Sequence, residues 1–324
     1  IEILMDSVKL AEELIRFKSI SPSSEGSLEY LEQLLKNHKF ECHLLEFGEP
    51  KVKNLYAVFK GGSGPNVCFA GHTDVVPPGD EDGWDSDPFT AVEKDGKIYG
   101  RGAVDMKSAI AAYVSAVINF LKNKNFKFNG SVSFLLTADE EGEAFYGTKK
   151  VVEWLEKNGI KLDFCLVGEP TNPLKLGEMV KIGRRGSLNG VVTVNGKQGH
   201  VAYPDLAKNP IDGVLKICDQ LKIQLDKGSK AFQPSNLVIT SIDVNNMVTN
   251  LIPKKASIKF NVRFNDNFSS KNLVKLLHDR LNKTGEDYDL EVKVSGESFF
   301  NFSEKLTKAV ITSIKKFKKI TPEL

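Results

Sequence analysis

The sequence predicts two α/β domains, one built on a mostly parallel mixed sheet flanked by helices and one an inserted ferredoxin-like α+β unit. Three observations support this: the length of 324 residues, apolar runs that alternate with helical stretches up to about Pro170, and a different order of elements after Arg185. A chain of this length usually forms more than one domain, each with its own core. We therefore expect two hydrophobic cores.

The first predicted domain shows continuous apolar strands between helices. An amphipathic helical pattern covers residues 7–17 and ends before the Ser-Pro pair at 21–22. Further along, apolar runs occupy residues 67–70, 132–136 and 164–167, and a helical stretch occupies residues 108–120. Apolar runs separated by helices are typical of a parallel sheet that helices cover on both faces.

The second predicted domain follows a β-α-β-β-α-β order. Its strands and helices are expected at residues 188–194, 210–225, 237–244, 256–264, 270–281 and 290–294, in that order. This order is typical of a ferredoxin-like unit. We expect residues 179–295 to form an inserted dimerisation domain. Residues 1–178 and 296–324, with a last helix at about 303–319, are expected to form one discontinuous domain.

Composition excludes several classes of protein. Hydrophobic residues make up 41% and charged residues 27% of the chain, which argues against disorder. A net charge of +2 provides no field that would attract nucleic acid. No stretch approaches the roughly 20 consecutive apolar residues of a membrane span. The sequence therefore predicts a cytoplasmic enzyme or binding protein, without nucleic acid or membrane as a partner.

The cysteines do not form a recognisable framework. Cys42, Cys68, Cys165 and Cys218 are scattered, and none belongs to a Cys-x-x-Cys pair. This spacing disfavours a disulfide scaffold and a thiolate zinc site. We expect all four to be small buried apolar residues.

Histidine and acidic residues follow the apolar runs. The segments Ala-Gly-His-Thr-Asp (70–74), Thr-Ala-Asp-Glu-Glu-Gly (137–142) and Leu-Val-Gly-Glu-Pro (166–170) each come directly after a predicted strand, and Gly-Ala-Val-Asp-Met-Lys (102–107) precedes a helix. In open α/β sheets, ligands bind at the carboxyl ends of the strands. We expect the clusters to converge at that edge.

The residue types in these clusters suit a metal site. One histidine and several carboxylates favour zinc, cobalt or manganese over a metal that prefers thiolates, and the number of ligands favours two ions. Each cluster alone has a simpler interpretation: His72 as an ordinary strand-end residue, Glu140 and Glu141 as a helix start, and Glu169 as a turn cap. Their joint occurrence after three separate strands favours the metal site.

These segments resemble the metal-site signature of the M20 aminoacylase/carboxypeptidase family. The matching stretches are Gly-His-Thr-Asp-Val-Val-Pro-Pro-Gly-Asp (71–80), Gly-Arg-Gly-Ala (100–103) and Asp-Met-Lys (105–107). Gly-Glu-Pro-Thr (168–171), Gly-Arg-Arg-Gly-Ser (183–187) and Gly-His-Val-Ala-Tyr-Pro (199–204) are similar to the desuccinylase branch of that family. The resemblance spans essentially the whole chain.

The resemblance implies a role for each residue of the first domain. It implies that His72, Asp105 and Glu169 hold one metal ion and that Asp105 bridges to a second ion, held also by Glu141. Zn²⁺ is the implied ion, with Co²⁺ or Mn²⁺ able to substitute. Asp74 is implied to orient His72 through its other ring nitrogen, and Glu140 to act as the general base. The Asp105–Met106 peptide bond is implied to be cis.

The resemblance also implies roles in the second domain. It implies a homodimer through this domain, in which His200 reaches the partner's active site and stabilises the oxyanion of the tetrahedral intermediate. Arg184, Arg185, Asn250 and Arg263 are implied to position the carboxylates of the substrate, since guanidinium groups pair with carboxylates in bidentate fashion. By residue type alone, each could equally be a surface or salt-bridge residue.

The implied reaction is hydrolysis of N-succinyl-LL-2,6-diaminopimelate to succinate and LL-2,6-diaminopimelate. Two alternatives stay open. One is an acetylornithine deacetylase or another amidohydrolase of the family. The other is a metal-binding pseudoenzyme, because the family's last ligand, a histidine after a Gly-Thr-Ser-Asp-Ala-Arg-like segment, does not occur by Leu324. We expect that the final part of the chain is absent from this sequence.

Overall fold

The computed structural model describes residues 4–324, which form two compact units. One unit runs up to Thr171 and the other begins at Asn172. The last helix and its C-terminal extension contact residues 177–180 within the second unit, where the Glu323 amide donates to the Glu178 carbonyl oxygen at 2.8 Å. The predicted return of residues 296–324 to the first domain stays a prediction.

Between residues 4 and 171, the first unit contains four α-helices and seven strands. The helices are α1 (Ser7–Ile15), α2 (Ser27–Asn37), α3 (Ser108–Asn123) and α4 (Thr148–Lys157). The strands are β1 (Glu41–Phe47), β2 (Val52–Lys60), β3 (Asn66–His72), β4 (Val92–Lys94), β5 (Lys97–Tyr99), β6 (Ser131–Thr137) and β7 (Phe164–Val167). The main sheet has the order β1-β2-β6-β3-β7, and β4 pairs with β5. In the main sheet β2 runs opposite to the other strands, so the sheet is mixed and mostly parallel, as predicted.

Helices cover both faces of the main sheet. Alternate residues of a strand point to opposite faces. On β2, for example, Leu55 and Ala57 pack with α1, α2 and α3, whereas Tyr56 and Val58 pack with α4. Both faces of the central strands are therefore buried, which explains why their sequences are continuous apolar runs.

The second unit has a ferredoxin-like sheet with two helices on one face. Its strands are β8 (Gly183–Arg184), β9 (Gly186–Asn195), β10 (Gly199–His200), β11 (Asn236–Asp243), β12 (Leu251–Ile252), β13 (Lys255–Phe264), β14 (Tyr288–Gly296) and β15 (Phe299–Phe300). Its helices are α5 (Pro210–Leu221), α6 (Ser270–Asn282) and α7 (Glu304–Lys318). The antiparallel sheet has the order β11-β13-β9-β14, and α5 and α6 pack on it through one apolar core. The β-α-β-β-α-β order of elements is confirmed.

A partly buried carboxylate closes the loop between α5 and β11. Asp226 accepts hydrogen bonds from the Gly228 amide at 2.6 Å, the Asn265 side chain at 2.8 Å and the Ser235 amide at 3.2 Å. Burial alone would raise the pKa of Asp226, but these hydrogen bonds lower it below its usual value. The ionised carboxylate therefore stabilises the folded state.

The lowered pKa predicts a pH-dependent stability. The contribution of Asp226 is present above its unfolded pKa of about 3.9 and is lost as the pH falls through the lower folded pKa. We expect Asp226→Asn to lose about 1–3 kcal/mol at pH 7 and to show a weaker loss of stability on acidification below about pH 4. Urea unfolding between pH 3 and pH 7 measures both, and the exposed Asp219→Asn is the control. Equal pH profiles for Asp226→Asn and the unsubstituted protein would contradict the prediction.

The apolar helix before β6 and the cysteines bear on two expectations from the sequence. The stretch Ala103–Asn123 is long and apolar enough to cross a membrane by length and composition, but half of it is buried inside the protein, as a core helix would be. Of the four cysteines, Cys68 and Cys218 are buried, as expected, whereas Cys42 is only partly buried. Cys165 is exposed, so the expectation was wrong there, because β7 lies at an edge of the sheet.

Candidate metal centre

The acidic clusters meet at the carboxyl edge of the main sheet. His72 ends β3, Glu140 and Glu141 follow β6, and Glu169 follows β7. Since β6, β3 and β7 are parallel neighbours, their carboxyl ends lie side by side. Asp105 comes from the irregular turn Ala103–Lys107 before α3. The expected convergence of the four segments is found.

One ring nitrogen of His72 lies at the centre of this cluster. Its Nε2 atom is 3.2 Å from Asp105 Oδ1 and 3.3 Å from Glu169 Oε1. Glu140 Oε2 is 3.9 Å away. Two overlapping groups result, one of His72 with Glu140 and Glu169 and one of His72 with Asp105 and Glu141, each with its ligand atoms within 4.8 Å of one another. All five residues are those that the sequence singled out as ligands or base.

Asp74 holds this arrangement through both its backbone and its side chain. Its carbonyl oxygen accepts from His72 Nδ1 at 2.8 Å, while its carboxylate oxygen is 3.6 Å from the same nitrogen. Asp74 Oδ2 accepts hydrogen bonds from the backbone amides of Glu140 at 3.1 Å and Glu141 at 3.0 Å. The sequence suggested that Asp74 orients His72. The structure adds that its carboxylate anchors the turn that carries Glu140 and Glu141.

The electrostatics of the cluster favour a positive charge at His72. Burial alone would lower the pKa of His72, but its hydrogen bonds to Asp74 and Glu169 raise it to about 11. Burial raises the pKa of Asp105, and its contact with Glu169 raises it further. Burial also raises the pKa values of Glu140 and Glu141, and neighbouring carboxylates add to the effect. The carboxylates thus repel one another while they attract a cation.

These properties fit a metal cation. A metal ion at Nε2 would replace the proton that the carboxylates hold there, and it would relieve the repulsion between them. An imidazole and four carboxylates are ligands that zinc, cobalt and manganese accept. The Nδ1 hydrogen bond to a backbone carbonyl fixes the tautomer that leaves Nε2 free for a metal, as is usual for metal-binding histidines. The Asp105–Met106 peptide bond is cis, as the resemblance implied.

Two further residues, for which the sequence predicts no role, shape this site. Asp139 is buried, and its carboxylate accepts hydrogen bonds from the backbone amides of Ala144 at 3.1 Å and Tyr146 at 2.9 Å. It therefore closes the loop that follows Glu140. Lys107 is fully buried, and its Nζ atom donates to the Phe17 carbonyl oxygen at 2.8 Å. Both residues could have been noticed in the sequence, because each is a charged residue inside an apolar or strand-end motif. Charged residues at such positions are buried only when they have a partner.

His200 and Asn250 lie close together in the second unit. The short strands β10 and β12 pair, with His200 opposite Leu251, and the Val201 amide donates to the Asn250 carbonyl oxygen at 3.1 Å. His200 is exposed, and its Nδ1 atom accepts from the Ala202 amide at 3.1 Å. With Nδ1 occupied in this way, Nε2 carries the proton and is available as a donor.

The three arginines lie on or beside the sheet of the second unit. Arg185 donates to the Asn236 side chain at 2.8 Å, and Arg263 is the register partner of Asn236 across the β11–β13 pair. Arg184 ends β8 and is exposed, as is Arg263. Arg185 and Arg263 thus flank the same asparagine, and both can present positive charge to solvent.

Fold and site together define a metal-dependent amidohydrolase, and sequence comparison identifies its family. The model of Peptidase family M20/M25/M40 matches residues 68–323. The chain belongs to this family.

Two relatives within this family share nearly half of their residues with the chain. The chain is similar to the succinyl-diaminopimelate desuccinylase of Ehrlichia canis (strain Jake), with 48% identity over 316 residues that cover 96% of this chain and 82% of the relative. It is 49% identical to the succinyl-diaminopimelate desuccinylase of Pelagibacter ubique (strain HTCC1062) over 327 residues, 98% of this chain and 85% of the relative.

A solved structure supports the fold. An M20 family metallo-carboxypeptidase from Sulfolobus solfataricus superposes with a TM-score of 0.74 at 20% identity and covers 98% of this chain and 84% of its own. At this identity, the similarity concerns the fold.

Proposed function

We propose that this protein hydrolyses N-succinyl-LL-2,6-diaminopimelate to succinate and LL-2,6-diaminopimelate. The observation that carries the proposal is the cluster of His72 and four carboxylates at the sheet edge, in a chain that is 48% identical to a named desuccinylase. The reaction adds water across an amide bond, so it needs an activated water, a base and a positive charge near the carbonyl oxygen.

The residues that would hold metal ions are those around His72 Nε2. His72, Asp105 and Glu169 would hold one ion, and Glu141 would hold a second ion that Asp105 shares. The short distances from Nε2 to Asp105 and Glu169 support this assignment. Bound Zn²⁺, or Co²⁺ or Mn²⁺ in its place, would polarise the amide carbonyl and lower the pKa of water.

Glu140 is the proposed general base. It belongs to the cluster and lies 3.9 Å from His72 Nε2, farther away than Asp105 or Glu169. Burial and the surrounding carboxylates raise its pKa above the usual glutamate value, which favours uptake of a proton. Glu140 takes a proton from the attacking water and gives it to the leaving amine nitrogen. Asp74 keeps the Glu140 backbone in place.

The second unit would supply the remaining contacts. We propose that the protein forms a homodimer through this unit and that His200 of one subunit donates to the oxyanion in the site of the other. The exposed ring of His200 and the occupied Nδ1 atom support a donor role for Nε2. Arg184, Arg185, Asn250 and Arg263 would bind the carboxylates of the substrate. The cytoplasm is the proposed location, because diaminopimelate precursors are biosynthetic metabolites.

Turnover of two substrates tests the proposal. With added Zn²⁺, we expect kcat/KM for N-succinyl-LL-diaminopimelate to exceed that for N-acetyl-L-ornithine by at least about a hundredfold, because arginines placed for a succinyl carboxylate are left unpaired by an acetyl group. Release of primary amine is the measurement, and a sample treated with a chelator is the control.

Each other outcome contradicts a stated part of the proposal. Faster hydrolysis of N-acetyl-L-ornithine would make the protein a deacetylase. Hydrolysis of neither substrate at saturating Zn²⁺ would favour a metal-binding protein without activity.

A further inference from the structure

Two cysteines face each other across neighbouring strands that lead to the metal centre. In the parallel β3–β7 pair, Cys68 is the register partner of Cys165. Each cysteine lies four residues before a predicted ligand, His72 in one case and Glu169 in the other. The two cysteines therefore lie on the same strands that carry His72 and Glu169 at or just beyond their carboxyl ends.

The geometry of this pair suits a covalent link. Register partners on adjacent strands have side chains on the same face of the sheet, and strands lie about 4.7–4.9 Å apart. The Cα atoms of disulfide-bonded cysteines are about 4.4–6.8 Å apart. The register thus places the two cysteines at a spacing that a disulfide can bridge.

The two thiols differ in reactivity. Cys165 is exposed, whereas Cys68 is fully buried. The neighbouring Cys68 lowers the pKa of Cys165, an effect that burial opposes and a hydrogen bond from the Ala70 backbone supports. The thiolate is the form of cysteine that reacts with oxidants. Cys165 is therefore the thiol that a small oxidant reaches first, and Cys68 is placed to react with the product.

We propose that Cys68 and Cys165 form an oxidisable dithiol, which hydrogen peroxide converts into an intramolecular disulfide between β3 and β7. The Cys165 thiolate attacks peroxide and becomes a sulfenic acid with release of hydroxide. The Cys68 sulfur then attacks the Cys165 sulfur, the S–O bond breaks, and water leaves after one proton is taken up. In total two thiols lose two electrons, and one peroxide becomes two waters. A dithiol reductant reverses the step by thiol–disulfide exchange.

The link has a consequence for the metal centre, and this part rests on the proposed function. A disulfide constrains the two strands at a point four residues before His72 and Glu169. These two residues lie only 3.3 Å apart at their ligand atoms, so their separation depends on how the strands are spaced. We expect oxidation to weaken Zn²⁺ binding by about tenfold, the effect usual when the support of metal ligands is disturbed.

Mass spectrometry tests the covalent step without reference to activity. After treatment with hydrogen peroxide, we expect the intact chain to lose about 2 Da, the mass of two thiol hydrogens. Alkylation after denaturation should then label Cys42 and Cys218 but not Cys68 or Cys165. Cys165→Ser should not lose this mass, whereas the double variant Cys42→Ser/Cys218→Ser should lose it as the unsubstituted chain does.

Several results would overturn the proposal. One is oxygen addition at Cys165 with Cys68 still free, and another is a disulfide between two chains through Cys165. For the consequence at the metal centre, Zn²⁺ titration by calorimetry compares the reduced and oxidised double variant, with Cys165→Ser treated with peroxide as the control. A disulfide with unchanged Zn²⁺ affinity would refute the coupling to the metal centre and leave the covalent step intact. Neither readout requires turnover, so a wrong substrate assignment would not affect them.

Discussion

Glu140→Gln is expected to lower kcat about a thousandfold while the affinity for Zn²⁺ stays within about threefold. A general base contributes about 10²–10⁴-fold to rate. Glutamine has nearly the shape of glutamate, so the backbone hydrogen bond from Glu140 to Asp74 can persist. The amide cannot accept the proton of the attacking water. Steady-state kinetics with the succinylated substrate and calorimetric Zn²⁺ titration are the two measurements.

A matched control separates the role of Glu140 from a general charge effect. Glu143 lies in the same loop and is exposed, so Glu143→Gln removes an equal charge three residues away and should leave kcat within about twofold of the unsubstituted value. A kcat for Glu140→Gln close to that of the control would exclude Glu140 as the base. A large loss of Zn²⁺ affinity would instead make it a ligand, in line with its place beside His72 and Glu169.

Asp74→Asn is expected to reduce both kcat and Zn²⁺ affinity by about 10–100-fold, the usual effect of losing a residue that supports metal ligands. The backbone carbonyl that accepts from His72 remains, so the ring stays oriented. One carboxylate oxygen becomes an NH₂ group in a fully buried position, beside the backbone amides of Glu140 and Glu141. The turn that carries both glutamates is then held by a single neutral acceptor.

Asp74→Ala should have a larger effect than Asp74→Asn, because both amides lose their acceptor in a buried site. Asp85→Asn, at an exposed position in the loop after Gly79, serves as the control for the loss of one negative charge. If Asp74→Asn kept full Zn²⁺ affinity and full kcat, the carboxylate of Asp74 would have no part in placing Glu140 and Glu141.

Most secondary structure could be predicted from local periodicity. The predicted strand 164–167 agrees with β7 at both ends, and the predicted helix 210–225 begins at the same residue as α5 but runs four residues too far. The helix ends earlier because the Arg280 side chain donates to the carbonyl oxygens of Ile223 and Gln224, which are then not available to continue the helix. The apolar periodicity of residues 210–225 carries no information about Arg280, which lies more than fifty residues away in the sequence.

The candidate site could be predicted in its residues but less well in its contacts. His72, Asp105 and Glu169 were identifiable because histidine and carboxylates after several separate apolar strands are unusual by chance and match a family signature. The anchoring of the Glu140–Glu141 turn by Asp74 was not foreseen. It depends on the parallel pairing of β3 with β6, which brings residues 66 positions apart into contact.

The sequence by itself determined the family, the two cores and the residues that carry the chemistry, because these follow from residue type, apolar periodicity and short motifs. Only the tertiary structure decided which of these residues touch. Strand register decides both the hydrogen bonds from two backbone amides to Asp74 and the pairing of Cys68 with Cys165. Register is set by how whole strands pack against the helices on both faces of the sheet, and no local segment encodes it.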